Sequence, residues 1–513
     1  MALAAAERSV GTHIACTPKE QGILRAKNNM PFSNSLWARA RAAASGALLV
    51  VAVAACSVNP VTGQRELALI TEQQEIAMGQ QAAQQVAESI GLVENDALQR
   101  YVADIGLRLA ATSERPELPW QFAVVDDPTP NAFALPGGFI FVTRGLAGLL
   151  TSEAEMAAVL GHEIGHVTAR HSVSQMSRAQ LAQLGLGLGM ILSPEVAQFG
   201  ELLGSGMQLL FLRYGRDDER QSDELGFRYM LENGYDVGEM SNVFRALLAA
   251  GEHAGASPLP SWLSSHPTEV ERIQAAEERV AALAEPRLDL RVGRDAHLDA
   301  ITGMIYGEDP RNGFFRDDWF HHPELMFQFR VPSSWQRQNL TNAVVAVSPE
   351  QDAAVELTIV PVSAPLDAAN GFVANEAVQA VASRREPLDG NPAIITEFRA
   401  QAQGGIVRGY VAHIEHGGAV YQLLAYTPEQ AFTARARALS DLVRSFAEER
   451  DRDVLRVQPN RLEIVTLPRA LTFAEFAREY PSVISDEELA LINHVGPDER
   501  LPAGARLKRV TEG

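Results

Sequence analysis

The sequence predicts an α+β chain in three folded parts: a mainly helical domain with a small sheet, an antiparallel α+β domain, and a small module at the end. Three observations predict this. Met156, Val159, Leu160, Ile164 and Val167 recur at helical spacing, the period of a buried helix face. From Leu325 onward the texture changes to two-residue alternation, in runs such as Ala343–Val347, Ala354–Val360 and Val407–Ile414, which is how half-buried strands read. The chain has 513 residues, more than one core normally serves at roughly 100–200 residues per domain.

Residues 1–55 read as a leader. Arg39 and Arg41 precede an apolar, small-residue stretch, Ala42–Ala55, which runs directly into Cys56. A basic start, a short apolar run and small residues at a cut site describe a secretory signal. The run is too short for a membrane span of about 20 residues. Met30 is the expected true start. Val53-Ala54-Ala55-Cys56 resembles a bacterial lipobox, which implies acylation of Cys56, a lipid anchor and a periplasmic address. Ser57 at the next position favours the outer membrane. Residues 56–70 read as a linker with a Pro60-x-x-Gly63 turn.

The helical domain is expected over 71–285. Thr71 with Gln74 matches a capping box, as does Ser152 with Glu155. Helical patterning runs from Thr71 to Thr112 with a break near Gly91. Trp120–Val125 and Phe139–Thr143 read as strands, with Phe139–Val142 a possible docking edge for an extended peptide. Helices are expected again over Asp218–Asn233 and Glu269–Ala284. Residues 181–212, rich in Gly and Leu, read as a packed cover. Residues 286–322 read as a polar, irregular connector. In the α+β domain, 323–450, further strands are expected at Leu325–Val331, Ile394–Ala400 and Val420–Tyr426, and helices at Asn375–Ser383 and Ala431–Glu448. The last module is expected over 455–511.

Composition limits the chemistry. The net charge is −20, which argues against nucleic acid, whose affinity rests on Lys and Arg contacts to phosphate. The two cysteines, Cys16 and Cys56, exclude a disulfide scaffold and a multi-cysteine metal site.

The chemistry-bearing run is His162-Glu163-Ile164-Gly165-His166. On a helix, residues four apart share a face, so both imidazoles can reach one metal ion. Glu163 stands beside them, placed to take a proton from an activated water. Imidazole ligands with an open position suit catalytic zinc. A third protein ligand is needed, and Glu219 and Asp223 share one face of a downstream helix. One carboxylate can bind the ion while the other accepts a hydrogen bond from a ligand histidine and fixes its tautomer. His171, five residues past His166, reads as rotated away from this face and as a cap on the helix C-terminus. His321-His322 and His413 with His416 read as structural.

The run His162–His171, with Asn131–Gly138 before it and Glu219…Asp223 after it, resembles the HtpX/BepA/Oma-type zinc metallopeptidases, gluzincins related to the CAAX prenyl protease. The resemblance covers about residues 70–285 and implies a zincin-type metallopeptidase fold. It also implies one Zn(2+) held by His162, His166 and Glu219, Glu163 as catalytic base, and Asp223 as partner of a ligand histidine. Gln221-Ser222 departs from the Glu-Ala often found there. Ser264-Ser265-His266-Pro267 resembles an element of periplasmic relatives in which the histidine approaches the zinc, which implies a regulatory latch; His266 is also a candidate oxyanion donor. Tyr214 and Arg216 are further oxyanion candidates. Phe327–Trp335 and the closing helix resemble PsbP-like domains. Arg456–Val510 resembles a LysM module, which implies a βααβ arrangement and contact with peptidoglycan.

The expectation is a zinc-dependent endopeptidase acting on unfolded or misassembled envelope proteins. The alternatives are a chaperone-like outer-membrane assembly scaffold with a latched zinc site, and a peptidoglycan-binding tether.

Overall fold

A computed structural model describes residues 56–187, 214–254, 266, 270–283, 289–402 and 405–513. The expected signal and Met30 lie outside them, as does most of the expected 181–212 cover. Among the described residues, no helix is long and apolar enough to cross a membrane.

The linker is a small hairpin. Strand β1 (Cys56–Val58) pairs with β2 (Arg65–Leu67). Gly63 supplies a positive φ of 67° in the turn, which costs a glycine nothing. Asn59 anchors the hairpin, its side-chain amide donating to the carbonyl of Ala169 at 3.1 Å.

Two helices follow, Glu72–Ser89 and Asp96–Ala111. The first opens on the expected Thr71–Gln74 capping box. Gly91, at φ 85°, stands between them. Next comes a three-stranded sheet of β3 (Gln121–Val125), β4 (Ala132–Leu135) and β5 (Phe139–Thr143). Its order is β3-β5-β4, with β5 parallel to β3 and antiparallel to β4. This corrects one expectation: Phe139–Val142 is the central strand, hydrogen-bonded on both sides, and cannot be a docking edge. The second partner, β4, comes from the Asn131–Gly138 run, too short and turn-flanked to show as a strand.

The motif helix is Glu153–Thr168. Ser152 caps it, accepting from the Glu155 backbone N–H at 3.1 Å. The reciprocal half of the expected capping box is shifted by one residue, because the Glu155 carboxylate accepts from the backbone N–H and hydroxyl of Thr151. All sixteen residues of this helix are buried. The helix is therefore surrounded, and its polar side chains need internal partners. A short helix, Arg144–Leu149, precedes it, Glu239–Ala254 packs on it, and Val270–Ala281 packs on Glu239–Ala254.

The stretch 286–322, expected to be an irregular connector, is divided between two domains. Helix Arg294–Ile301 buries Leu298 and Ile301 in the core of the helical domain. β6 (Phe314–Arg316) and β7 (Trp319–His322) join β8 (Phe327–Arg330) and β16 (Ala447–Glu448) in a four-stranded sheet. Polar segments this short carry too little periodicity to be read as elements.

The α+β domain is built on a seven-stranded antiparallel sheet. In chain order its strands are β9 (Gln336–Leu340), β10 (Ala343–Val347), β11 (Ala354–Val360), β12 (Val378–Arg385), β13 (Ala393–Ala402), β14 (Gly405–His416) and β15 (Ala419–Pro428). Their order across the sheet is β12-β13-β14-β15-β11-β10-β9. Helices Pro365–Val373 and Glu429–Val443 pack on it. The helix expected at Asn375–Ser383 is instead the edge strand β12. Ala-rich composition favours a helix, but β13 offers a free ladder, and tertiary pairing overrides a weak local preference.

In the last module β17 (Arg461–Thr466) pairs with β20 (Arg506–Thr511), and β18 (Leu471–Thr472) with β19 (Arg500–Leu501), around helices Phe473–Glu479 and Asp486–Asn493. Its apolar residues Leu462, Phe476, Leu489, Ile492 and Leu507 share one continuous core with the helical domain. The backbone is joined too: Leu462 donates to the Met304 carbonyl at 2.9 Å, and Gly303 donates to the Leu462 carbonyl at 2.8 Å.

Candidate metal centre

The site lies where the motif helix meets the acidic helix Arg216–Glu232. Close approach of the two backbones creates it. A Cβ at Gly161 would stand 3.1 Å from the Gly226 Cα, one at Gly165 3.0 Å from the Ser222 Cα, and one at Gly226 2.9 Å from the His162 backbone nitrogen. Only glycine fits such a seam without pushing the helices apart. The contact places His162 and His166 opposite Glu219 and Asp223.

All four side chains are buried, His162 to 1% exposure and Glu219 to 3%. The Nε2 atoms of His162 and His166 stand 3.0 Å apart. Glu219 reaches both, Oε2 at 3.5 Å from His162 and Oε1 at 3.4 Å from His166. His266 completes the group, its Nδ1 2.8 Å from Glu219 Oε1 and 3.3 Å from His162 Nε2. One ligand atom from each of these four residues lies within 4.8 Å of all the others.

Asp223 stands behind His162, with Oδ1 2.9 Å from His162 Nδ1. A carboxylate accepts, so Nδ1 carries the proton and Nε2 presents a lone pair to the cluster. Three nitrogens and a carboxylate converging on one buried point fit a divalent ion.

Electrostatics agree with the geometry. Burial pushes His166 well below the ordinary histidine range, keeping it neutral. Burial also pushes Glu219 up, but His266, His166 and His162 outweigh it, and Glu219 is held far below the ordinary carboxylate range. Asp223 is pulled down to about 2, where burial is outweighed by Arg272 and His162. His266 is raised: burial opposes its charge, and Glu219 and Glu163 win.

Glu163 differs from the other carboxylates. It is fully buried, and among the described residues neither oxygen finds a hydrogen-bond partner. His266 Nε2 is 3.7 Å from its Oε1. Burial raises its affinity for a proton, the property a proton-transferring group needs near neutral pH.

The remaining candidates fall into place around this group. Tyr214 stacks on the His166 ring at 3.8 Å between centroids, and its hydroxyl is 2.8 Å from Ser172 Oγ. Arg216 is exposed. His321 lies elsewhere, with Nδ1 2.5 Å from Glu449 Oε2, and His413 bonds Gln422 at 3.0 Å.

Two residues escaped the sequence reading. Arg272, on Val270–Ala281, donates to Asp223 through Nη2 at 2.6 Å and Nε at 2.8 Å, and its Nη1 is 2.9 Å from Glu219 Oε2. No motif marks it, because its partners lie about fifty residues upstream. His171 is the second, and its expected position is corrected. Its ring is buried, with Nδ1 2.9 Å from His166 Nδ1. The helix does not run through it: Arg170 has a φ of 59°, and a new helix begins at His171. That left-handed residue swings the ring back toward the site, so rotation counted along a continuous helix gave the wrong side. A polar Arg-His pair after the second motif histidine was the available signal.

Comparison with known proteins gives a consistent picture. The profile of Peptidase family M48 matches residues 96–280. A beta-barrel assembly-enhancing protease of Yersinia pestis is 31% identical over 230 residues, covering 43% of this chain and 46% of that protein. The mitochondrial metalloendopeptidase OMA1 of Schizosaccharomyces pombe is 30% identical over 229 residues, covering 43% of this chain and 65% of that protein. The chain thus spans less than two thirds of either relative. Among solved structures, cyanobacterial PsbP of Synechocystis sp. PCC 6803 matches with 13% identity and a TM-score of 0.23, over 25% of this chain and 91% of that one; a likeness that loose carries no argument. Residues 96–280, which hold the histidine pair, the acidic helix, His266 and Arg272, are thus the part of this chain that carries a Peptidase family M48 domain.

Proposed function

We propose that the protein is a zinc-dependent endopeptidase in which His162, His166 and Glu219 hold the ion, Asp223 orients His162, and Glu163 moves the proton. The observation that carries this reading is the convergence of His162, His166, Glu219 and His266 within 4.8 Å, beside a buried Glu163 carboxylate whose oxygens have no hydrogen-bond donor among the described residues. Bound zinc would polarise the scissile carbonyl and make an attacking water acidic. Glu163 takes the proton from that water and returns it to the departing amine nitrogen, a transfer helped by its raised proton affinity. The dry surroundings strengthen every charge interaction involved. Substrate backbone can add at β4, an edge strand of the small sheet among the described residues and one packed on the motif helix.

The substrate class we propose is unfolded or misassembled envelope protein, supported by the Yersinia relative being named for beta-barrel assembly. The address we propose is the periplasm, by a lipid on Cys56, with the outer membrane favoured. The LysM-like reading of the tail and its contact with peptidoglycan belong to the same proposal. The test is digestion of casein by wild type and Glu163→Gln at equal zinc content. Cleavage by wild type alone is expected; equal behaviour of the two overturns the reading.

His266 favours a second reading of the same site, a latched enzyme or an assembly scaffold. It fills the fourth position of the cluster and faces Glu163 at 3.7 Å, so it competes with water and substrate. A His266→Ala variant that cleaves faster than wild type supports the latch; one that cleaves equally or more slowly removes it.

A further inference from the structure

Among the described residues His166, unlike His162, has no carboxylate at its Nδ1. Its Nδ1 faces His171 Nδ1 at 2.9 Å. On the far side of the His171 ring, Nε2 is 2.9 Å from Gln221 Oε1 and 3.8 Å from Asp218 Oδ1. Two oxygens therefore face Nε2, and both are acceptors. They place the His171 proton on Nε2 and leave Nδ1 as an acceptor. Ser222 Oγ, 3.4 Å away, also faces that Nδ1. With His171 Nδ1 bare, His166 must donate from its own Nδ1, and its Nε2 then presents a lone pair to the cluster.

We propose that His171, held by Gln221, is a positioning residue that fixes the Nδ1–H tautomer of His166 and so prepares it as a ligand. This rests on the metallopeptidase reading, and it extends it. The chain carries two different devices for one task. His162 is oriented by a charged partner, Asp223, and His166 by a neutral relay through a second imidazole. The relay depends on the break at Arg170, whose φ of 59° turns His171 toward the ring. It also gives a role to Gln221, whose side-chain carbonyl accepts from His171 Nε2 and terminates the relay.

The test uses the full chain, stripped of metal and retitrated with zinc against a chelator. Partners of this kind are worth about 10–100-fold in metal affinity. His171→Leu is expected to lose affinity on that scale. His171→Asn is expected to recover most of it, because the asparagine Oδ1 can stand where the imidazole Nδ1 stood and accept from His166. Gln221→Ala is expected to fall between. A second readout needs no metal: histidine-15N spectra of the metal-free chain should show His166 protonated at Nδ1 in wild type and His171→Asn, and mixed tautomers in Gln221→Ala. Zinc binding by His171→Leu equal to wild type, or His171→Asn as weak as His171→Leu, overturns the proposal. If His171→Leu does not fold, the asparagine and alanine variants decide. If wild type itself binds no zinc, the metallopeptidase reading fails, and the tautomer of His166 alone decides the relay.

Discussion

His494 of the C-terminal module places its Nδ1 3.0 Å from Oε1 of Glu155, in the first turn of the motif helix. The contact joins the end of the chain to the start of the element that carries the histidine pair. Burial pushes Glu155 up, yet His494, the Thr151 N–H and Lys508 outweigh it and hold the carboxyl below its ordinary range. Lys508 is fully buried nearby, and its ammonium donates to the carbonyls of Gly148, Leu149 and Leu150 at 2.8, 3.1 and 2.8 Å. Three donors meet three carbonyls just ahead of the motif helix, so the tail is part of the scaffold that holds the site.

A first prediction follows for Lys508→Met. The apolar stem is replaced at similar volume, while the Gly148 and Leu149 carbonyls lose their side-chain donor; the Leu150 carbonyl keeps His297 Nε2 at 3.0 Å. Unsatisfied buried groups cost about 1–3 kcal/mol each before relaxation, so a net loss of about 3 kcal/mol is expected. Denaturant unfolding should show a lower midpoint with an unchanged slope. An unchanged midpoint would contradict the scaffold role of the tail.

Arg272 gives a second prediction. It is 6% exposed, bidentate on Asp223, and lies 4.6 Å over the Phe244 ring. Removing one partner of a buried ion pair leaves an uncompensated charge and costs about 3–5 kcal/mol. Arg272→Met should lose stability on that scale in the metal-free chain. Arg272→Lys should rescue little, because an ammonium cannot reproduce the planar fork. Full rescue by lysine would show that charge alone matters.

Acid sensitivity provides the third. Asp223 is depressed to about 2 in the folded chain, against an ordinary 3.8. A carboxyl depressed by folding contributes stability that is present above the unfolded value and lost as pH falls through the folded one. That contribution is about 2 kcal/mol. In the metal-free chain, the stability gap between wild type and Asp223→Asn should narrow between pH 4 and 2. Parallel pH profiles would contradict the assignment.

The glycine seam gives the fourth. Gly226→Ala puts a methyl 2.9 Å from the His162 backbone nitrogen. Overpacking typically costs about 1–3 kcal/mol, and the helices must part by tenths of an ångström. Weaker zinc binding together with lower stability is expected, measured by titration and by thermal unfolding. Stability lost with zinc affinity intact would separate the seam from the site.

Most of the site was legible because its spacing is written within single helices. His162 and His166 are one turn apart, Glu219 and Asp223 likewise, and a helix converts such spacing into a shared face. What crosses between elements was not legible. Arg272 meets Asp223 only because Val270–Ala281 folds back. His171 meets His166 only because Arg170 breaks the helix, and no periodicity foretells a single left-handed residue. In the α+β domain the long alternating strands were plain, but β12 was masked by alanine composition and β9 by its polar residues. The tail's helices were visible, whereas its union with the helical core was not, since shared burial leaves no mark on local pattern.

The central claim is a metal ion held between the motif helix and the acidic helix, and zinc titration of the metal-free full chain tests it most directly. Wild type should bind one equivalent, and Glu219→Gln should lose most of that affinity while remaining folded. A folded wild type that takes up no zinc, or a Glu219→Gln chain that binds it as tightly, would contradict the account.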